Sequence, residues 1–167
     1  QKEIGKTDMI PVIEAIKLLA ASNTGALMVI SRNSALRFYA DSGDLMNSLI
    51  SKRLIMAIFN KLSPMHDGAV IIYSDKIIAA RCILPVSERD DVPANFGLRH
   101  RAAVGMSEAT ESLILIVSEE TGQISIAQNG ILFENLSIKA LRQSVKEYFS
   151  DKDPILEAES TEVEGEA

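Results

Sequence analysis

The chain of 167 residues has one cysteine, two histidines and no apolar run of eighteen residues, and each scarcity removes a class of protein. A single thiol, Cys82 in IIAARCILP, cannot close an internal disulfide, so a buried structural thiol in a reducing, intracellular compartment is expected. Without a long apolar run there is no membrane-spanning helix to predict, and nothing near the start has the order of a signal peptide. The chain as it stands reads as soluble. Because it starts at Gln1 rather than Met, it also reads as a fragment whose missing N-terminus holds a membrane anchor or another domain. No G-x-x-x-x-G-K-[ST] or G-x-G-x-x-G occurs, which excludes a P-loop and a Rossmann dinucleotide site. The absence of C-x-x-C and H-E-x-x-H removes zinc ribbons and zincins, and the absence of G-x-S-x-G removes the serine-hydrolase elbow.

What is present is ordinary globular composition, 47% apolar and 24% charged, enough for one compact domain with a real core. The net charge of -6 is unevenly placed. Residues 151–167, DKDPILEAESTEVEGEA, hold seven acids and one base, which leaves 16 acids and 16 bases in residues 1–150. We read 1–150 as the folded body and 151–167 as a disordered acidic tail. A neutral body argues against coating of duplex DNA, so no nucleic-acid partner is expected.

Apolar spacing at Ile10, Ile13, Ile16 and Leu19 or Ala20, with Thr7 or Asp8 as N-cap and Gly25 beyond the end, predicts an amphipathic first helix. ALMVIS (26–31) predicts a buried strand, the polar stretch 41–51 an exposed loop, and SKRLIMAIFNKL (51–62) a helix. GAVIIYS (68–74) and KIIAARCILPV (76–86) predict a hairpin, and SERDDVPANFG a charged loop leading to a helix in HRAAVGMSEATE. LILIVS (113–118) and QISIAQ (123–128) predict two further strands, NGILFEN a turn and short extension, and IKALRQSVKEYF (138–149) a closing helix capped by Ser137. Helices and strands alternate without a strict βαβ rhythm and without internal repeats. The expected fold class is α/β, a mixed central sheet flanked by helices.

Three polar clusters fall at element ends, where backbone groups are free to bind ligands. In His66-Asp67-Gly68-Ala69 the carboxylate can hold a cation or accept a proton from a hydroxyl, and the imidazole can assist. The competing reading is a plain Asp-Gly loop capped by His66. Gly97-Leu98-Arg99-His100-Arg101-Ala102-Ala103 puts two guanidiniums and an imidazole at a helix start, a sensible polyphosphate site or simply a solvated basic turn. Successive helical residues point about 100° apart, so in regular helix Arg99 and Arg101 cannot face one ligand. Ser118-Glu119-Glu120-Thr121-Gly122 follows a strand, and adjacent acids there are a metal or hydroxyl site or a solvated hairpin loop. Together the clusters are the parts of a metal-assisted phosphoryl or nucleotidyl transfer site.

The pairing of Asp67-Gly68-Ala69 with Arg99-His100-Arg101, and Ser118-Glu119-Glu120 downstream, resembles the diadenylate cyclase domain, which joins two ATP molecules into cyclic di-AMP. The resemblance spans about residues 8–150. LSPMHDGAVII and LRHRAAVGMSEATESLILIVSEETG look most like its membrane-associated bacterial branch, in which transmembrane helices precede the cyclase domain. That implies a cytoplasmic domain anchored through a missing N-terminal segment. It implies that Asp67 orients or deprotonates a 3′-hydroxyl with Mg²⁺ or Mn²⁺, or Co²⁺, while Gly68 and Ala69 admit the ribose and phosphate. His66 and Glu120 are implied as further metal contacts, Glu119 or Glu120 as a ribose contact, Arg99, His100 and Ser118 as phosphate ligands, and Arg101 as a phosphate ligand or a brace for the loop. Ile83 and Leu84 are implied for the adenine pocket. Leu98 stands where many members have Thr, so one hydroxyl contact to phosphate is missing. Product symmetry implies a face-to-face homodimer, each subunit holding one ATP. A non-catalytic adenine-nucleotide sensor is the alternative, and a purely structural role would leave both histidines unexplained.

Overall fold

Residues 7–92 and 97–150 are described in the computed structural model, so the acidic tail 151–167 and part of the charged loop before the fourth helix lie outside the described residues. Ala26–Ser31, short, mostly apolar and buried at every position, forms β1 in the middle of the sheet, after helix α1 (Ile10–Ala21). A one-turn helix α2 (Arg37–Ala40), the strand β2 (Asp44–Leu49) and helix α3 (Lys52–Phe59) lead to the hairpin β3 (Ala69–Tyr73) and β4 (Lys76–Cys82). Helix α4 (Leu98–Ala109), strands β5 (Leu113–Val117), β6 (Ile124–Gln128) and β7 (Ile131–Phe133), and helix α5 (Ile138–Ser150) complete the chain. The seven strands form one mixed sheet in the order β2-β4-β3-β1-β5-β6-β7, in which only β1 and β3 run parallel. This is the α/β class expected.

Strand alternation divides the core in two. Met28 and Ile30 of β1, Val70 and Ile72 of β3, and Leu113 and Leu115 of β5 pack against α1, α3 and α5 through Ile16, Ile58 and Leu141. Their neighbours Leu27, Val29, Ile71, Ile114 and Ile116 face α2 and α4 through Ala40, Ala103 and Met106. Burying each such Ile or Leu stabilises the fold by about 1.5–3 kcal/mol. The carboxyl end of α5 is fastened separately: the Tyr148 hydroxyl donates to the Glu111 carbonyl at 2.8 Å and accepts from the Arg32 amide at 3.2 Å. The Arg32 guanidinium lies 4.5 Å from the centre of the same ring.

Several expectations need correction. Residues 41–51 are not simply a loop, because Asp44–Leu49 pair antiparallel with β4 as an edge strand. A strand with one neighbour can leave most of its side chains in solvent, Leu45 and Leu49 included, and this one is held by Arg81 donating to both carboxylate oxygens of Asp44 at 2.9 and 3.2 Å. Its ladder is interrupted between Leu45 and Ser48, where Asn47 takes φ 47°. Neither Thr7 nor Asp8 caps α1: the N-cap is Met9, Thr7 donates to the Ser74 carbonyl, and Asp8 accepts from the Ile10 amide. Both α3 and β4 are shorter than predicted, ending at Phe59 and Cys82. Helix α4 starts two residues earlier, at Leu98. Ser137 does cap α5, accepting from the Ala140 amide at 3.1 Å. Cys82 is buried, and loss of hydration there pushes its thiol up to about 11, which makes it inert at neutral pH. Among the described residues no helix is long and apolar enough to cross a membrane.

Candidate active site

Strand register brings the three clusters to one border of the sheet. Ala26 of β1 pairs with Val117 of β5, and Met28 pairs with Val70 of β3, so the segments before β1, before β3 and after β5 emerge side by side. Helix α4 points its first turn at the same border. The result is a cleft of about 330 Å³. Asp67 stands on one wall, Gly97, Leu98, Arg99 and His100 on a second, and Ser118, Glu119 and Glu120 on a third.

Each wall is locally determined. Gly68 has φ +122°, and a Cβ there would come within 2.9 Å of the Arg81 backbone, so glycine is required by the chain's own packing at the β3–β4 irregularity. Asp67, just before it, is exposed. Gly97 caps α4 with extended backbone and no side chain caps the first turn, which leaves the amide end of a twelve-residue helix facing the cleft. Arg99 and Arg101 diverge as the helical rotation demands. The Arg99 guanidinium donates to Glu119 Oε1 at 3.4 Å across the cleft, whereas Arg101 turns away and donates to the carbonyls of Ser87 and Val92 at 3.5 and 3.2 Å. In this structure Arg101 braces the loop before α4. His100 is buried, and desolvation, reinforced by the Arg99 charge and opposed by Glu134, holds its imidazole below the usual 6.5. The neutral ring carries one N–H.

The third wall is a tight turn in which the Ser118 hydroxyl accepts from the amides of Glu120 and Thr121, both at 3.2 Å. Its own proton remains available to donate. The turn is docked on the end of α1, where Asn23 donates to the Glu120 carbonyl at 3.2 Å and a Cβ on Gly122 would meet the Ala20 carbonyl at 2.4 Å. Gly25 was legible only as a residue beyond the helix end and Asn23 not at all, although Gly25 lies directly against the Arg99 guanidinium.

Not every expected residue joins the cleft. His66 is partly buried in the turn before β3, where its ring Nδ1 donates to the Ser63 carbonyl at 2.8 Å, and it does not line the cavity. Among the described residues no three of His, Cys, Asp and Glu are grouped to hold an ion, so Asp67, His66 and Glu120 do not form a preassembled ligand set. The Ser63–His66 turn, which also ties the His66 amide to Ser63, fixes the ring through Nδ1 and leaves Nε2 able to ligate. Asp67 and Glu120 both line the cleft, and carboxylate oxygens are the donors a hard divalent cation takes. Ile83, 71% exposed, and Leu84, buried, border a second concavity of about 670 Å³ with Phe38, Tyr39 and Pro85. A third concavity, about 480 Å³, lies between α1 and α5, with an apolar floor of Ile13, Val145 and Phe149 and a rim bearing Arg142 and Lys146. Its lining also includes Glu14 and the start of α1, but there Asp8 takes the Ile10 amide and Pro11 has no N–H. No imidazole joins it, so it lacks the open helix end and the histidine of the cleft.

Residues 13–132 match the family described as DisA bacterial checkpoint controller nucleotide-binding, or DAC. The chain is 43% identical over 138 residues to the cyclic di-AMP synthase CdaA of Bacillus subtilis, covering 83% of this chain and 50% of that protein. It therefore spans about half the length of that relative. Its fold superposes on the crystal structure of a double mutant of DacA from Staphylococcus aureus with a TM-score of 0.82 and 38% identity, over 84% of this chain and 94% of that one. A second solved structure, a hypothetical membrane spanning protein from Bacillus cereus, matches with a TM-score of 0.73 and 41% identity, over 76% of this chain and 62% of that one.

Proposed function

The chain belongs to the DAC family, and from that premise we propose that it is a diadenylate cyclase, joining two ATP molecules into cyclic di-AMP with release of two pyrophosphates. The observation that carries this reading is the convergence of Asp67, Arg99, His100 and Ser118 on one cleft at the start of α4. The domain is assigned to residues 1–150, with the acidic tail outside it.

In this reading the triphosphate lies along the α4 wall. Arg99 contributes a fixed positive charge, His100 a ring N–H, the open helix end its amides and Ser118 a hydroxyl, all aimed at phosphate oxygens. The adenine rests against Ile83 and Leu84. Gly68 and Ala69 leave room for the ribose beside Asp67. Asp67 accepts the proton of the 3′-hydroxyl as that oxygen forms a bond to the α-phosphorus of the other ATP. The α-phosphorus–oxygen bond to pyrophosphate breaks in the same exchange, and repetition at the second site closes the ring. A divalent cation, Mg²⁺, Mn²⁺ or Co²⁺, bound by the triphosphate with Asp67 and Glu120, would supply charge neutralisation of the leaving group. Because each hydroxyl needs the opposite phosphate, two copies must face each other about a two-fold axis, and one copy alone binds without cyclising. The membrane-spanning description of the Bacillus cereus protein supports placement at the cytoplasmic side of a membrane through a preceding segment.

The test is incubation of the chain with ATP and each of the three cations, with mass spectrometry for cyclic di-AMP. Product is expected at concentrations where the chain dimerises. Its absence with every cation under those conditions overturns the cyclase reading, and tight ATP binding without turnover would instead make the domain a nucleotide sensor.

A further inference from the structure

Gly25 is buried at the junction of α1 and β1, and the group packed on it is not backbone. A Cβ at this position would lie 2.5 Å from the Arg99 guanidinium carbon and 2.6 and 2.8 Å from its terminal nitrogens. By contrast, a Cβ on Gly43, Gly68, Gly105 or Gly122 would strike main-chain atoms. Arg99 is therefore held on two sides: its flat guanidinium rests on the bare α-carbon of Gly25, and its edge is drawn to Glu119, which follows the strand paired with β1. Only 24% of the Arg99 side chain is exposed, although its neighbour Leu98 stands largely in solvent.

We infer that Gly25 is a positioning residue for nucleotide binding, the seat that holds the Arg99 guanidinium in the cleft. The inference rests on the phosphate role assigned to Arg99 above. The backbone of Gly25 is not in the left-handed region, since no positive φ occurs there, so alanine suits its conformation and removes some freedom from the unfolded chain. The clash falls on the far end of a flexible side chain. Gly25→Ala should therefore fold normally while displacing Arg99 from its place beside Glu119.

The experiment is a double-mutant cycle on the full chain, titrated with 3′-deoxy-ATP, which lacks the nucleophile and cannot turn over. Gly25→Ala and Arg99→Ala are each expected to raise Kd about tenfold, the scale of one charge-assisted phosphate contact, and the double variant to lose no more than Arg99→Ala alone. Thermal midpoints should stay close to wild type for Gly25→Ala. A merely structural glycine would instead lower the midpoint, or add its binding loss to that of Arg99→Ala, and either result overturns the inference. Unchanged affinity in Gly25→Ala with loss in Arg99→Ala overturns the seat alone. Unchanged affinity in Arg99→Ala removes the phosphate reading and this inference together.

Discussion

The cleft at the start of α4 and the groove between α1 and α5 differ in kind more than in size. The groove is the larger, about 480 Å³ against about 330 Å³, and its floor is apolar side chain. The cleft is smaller and is walled by an arginine, a buried imidazole, a serine and three carboxylates. Both lie at helix termini and both hold charges of either sign, yet only the cleft adds a buried imidazole and a helix start with no capping side chain, whereas Asp8 takes the Ile10 amide at the start of α1. Chemistry, rather than volume, marks the site.

Substitutions can break that contrast. Asp67→Asn keeps the shape of the cleft and removes its proton acceptor, so turnover should fall by about 10³-fold while 3′-deoxy-ATP still binds. Product formation near the wild-type rate, followed by mass spectrometry, would remove Asp67 from the chemistry. Arg99→Ala should weaken nucleotide binding about tenfold or more by calorimetry, and an unchanged Kd would erase the electrostatic distinction between cleft and groove.

A smaller effect is expected from His100, whose imidazole is held below its usual 6.5 by burial first and by Arg99 second. As pH falls, the unfolded chain takes up this proton before the folded one, so its effect on stability is absent above about 6.5 and becomes a loss below it. Bound phosphate favours the charged ring and reverses the preference. ATP affinity should therefore rise a few-fold between about pH 7.5 and 6 relative to a His100→Gln variant. Parallel pH profiles for the two proteins would show that His100 does not face the phosphates. The least effect is expected from Arg142→Ala and Lys146→Ala on the groove rim, which should change nucleotide affinity by less than about twofold because solvent screens them. A larger loss would give the groove a part in binding.

Much of this was legible in the chain because it is written in local pattern. The apolar runs at 26–31, 69–73 and 113–117 and the apolar stripes of α1 and α5 announce buried elements, and Asp67, Arg99 with His100, and the 118–120 segment sit at the ends of β3, α4 and β5. What was missed depends on partners distant in sequence. Strand β2 exists through its pairing with β4 and the Asp44–Arg81 ion pair, and its own residues read as a loop. Helix α2 begins after Leu36, which takes φ 52°, a conformation that leucine does not advertise. Gly25 contributes by lacking a side chain, and Asn23 by reaching a carbonyl 97 residues away. His66, beside Asp67 in sequence, has its Nδ1 hydrogen-bonded within its own turn and does not line the cleft.

The borders of the sheet carry one more consequence. On one side stands β2, broken at Asn47, and on the other β7, with three residues. Neither offers the long, flat row of free amides and carbonyls on which a stray strand could polymerise, so both edges disfavour amyloid-like growth and runaway strand addition. Self-association of this domain is thereby steered away from its sheet edges, toward contacts made by side chains on its faces, where a finite, closed assembly is possible.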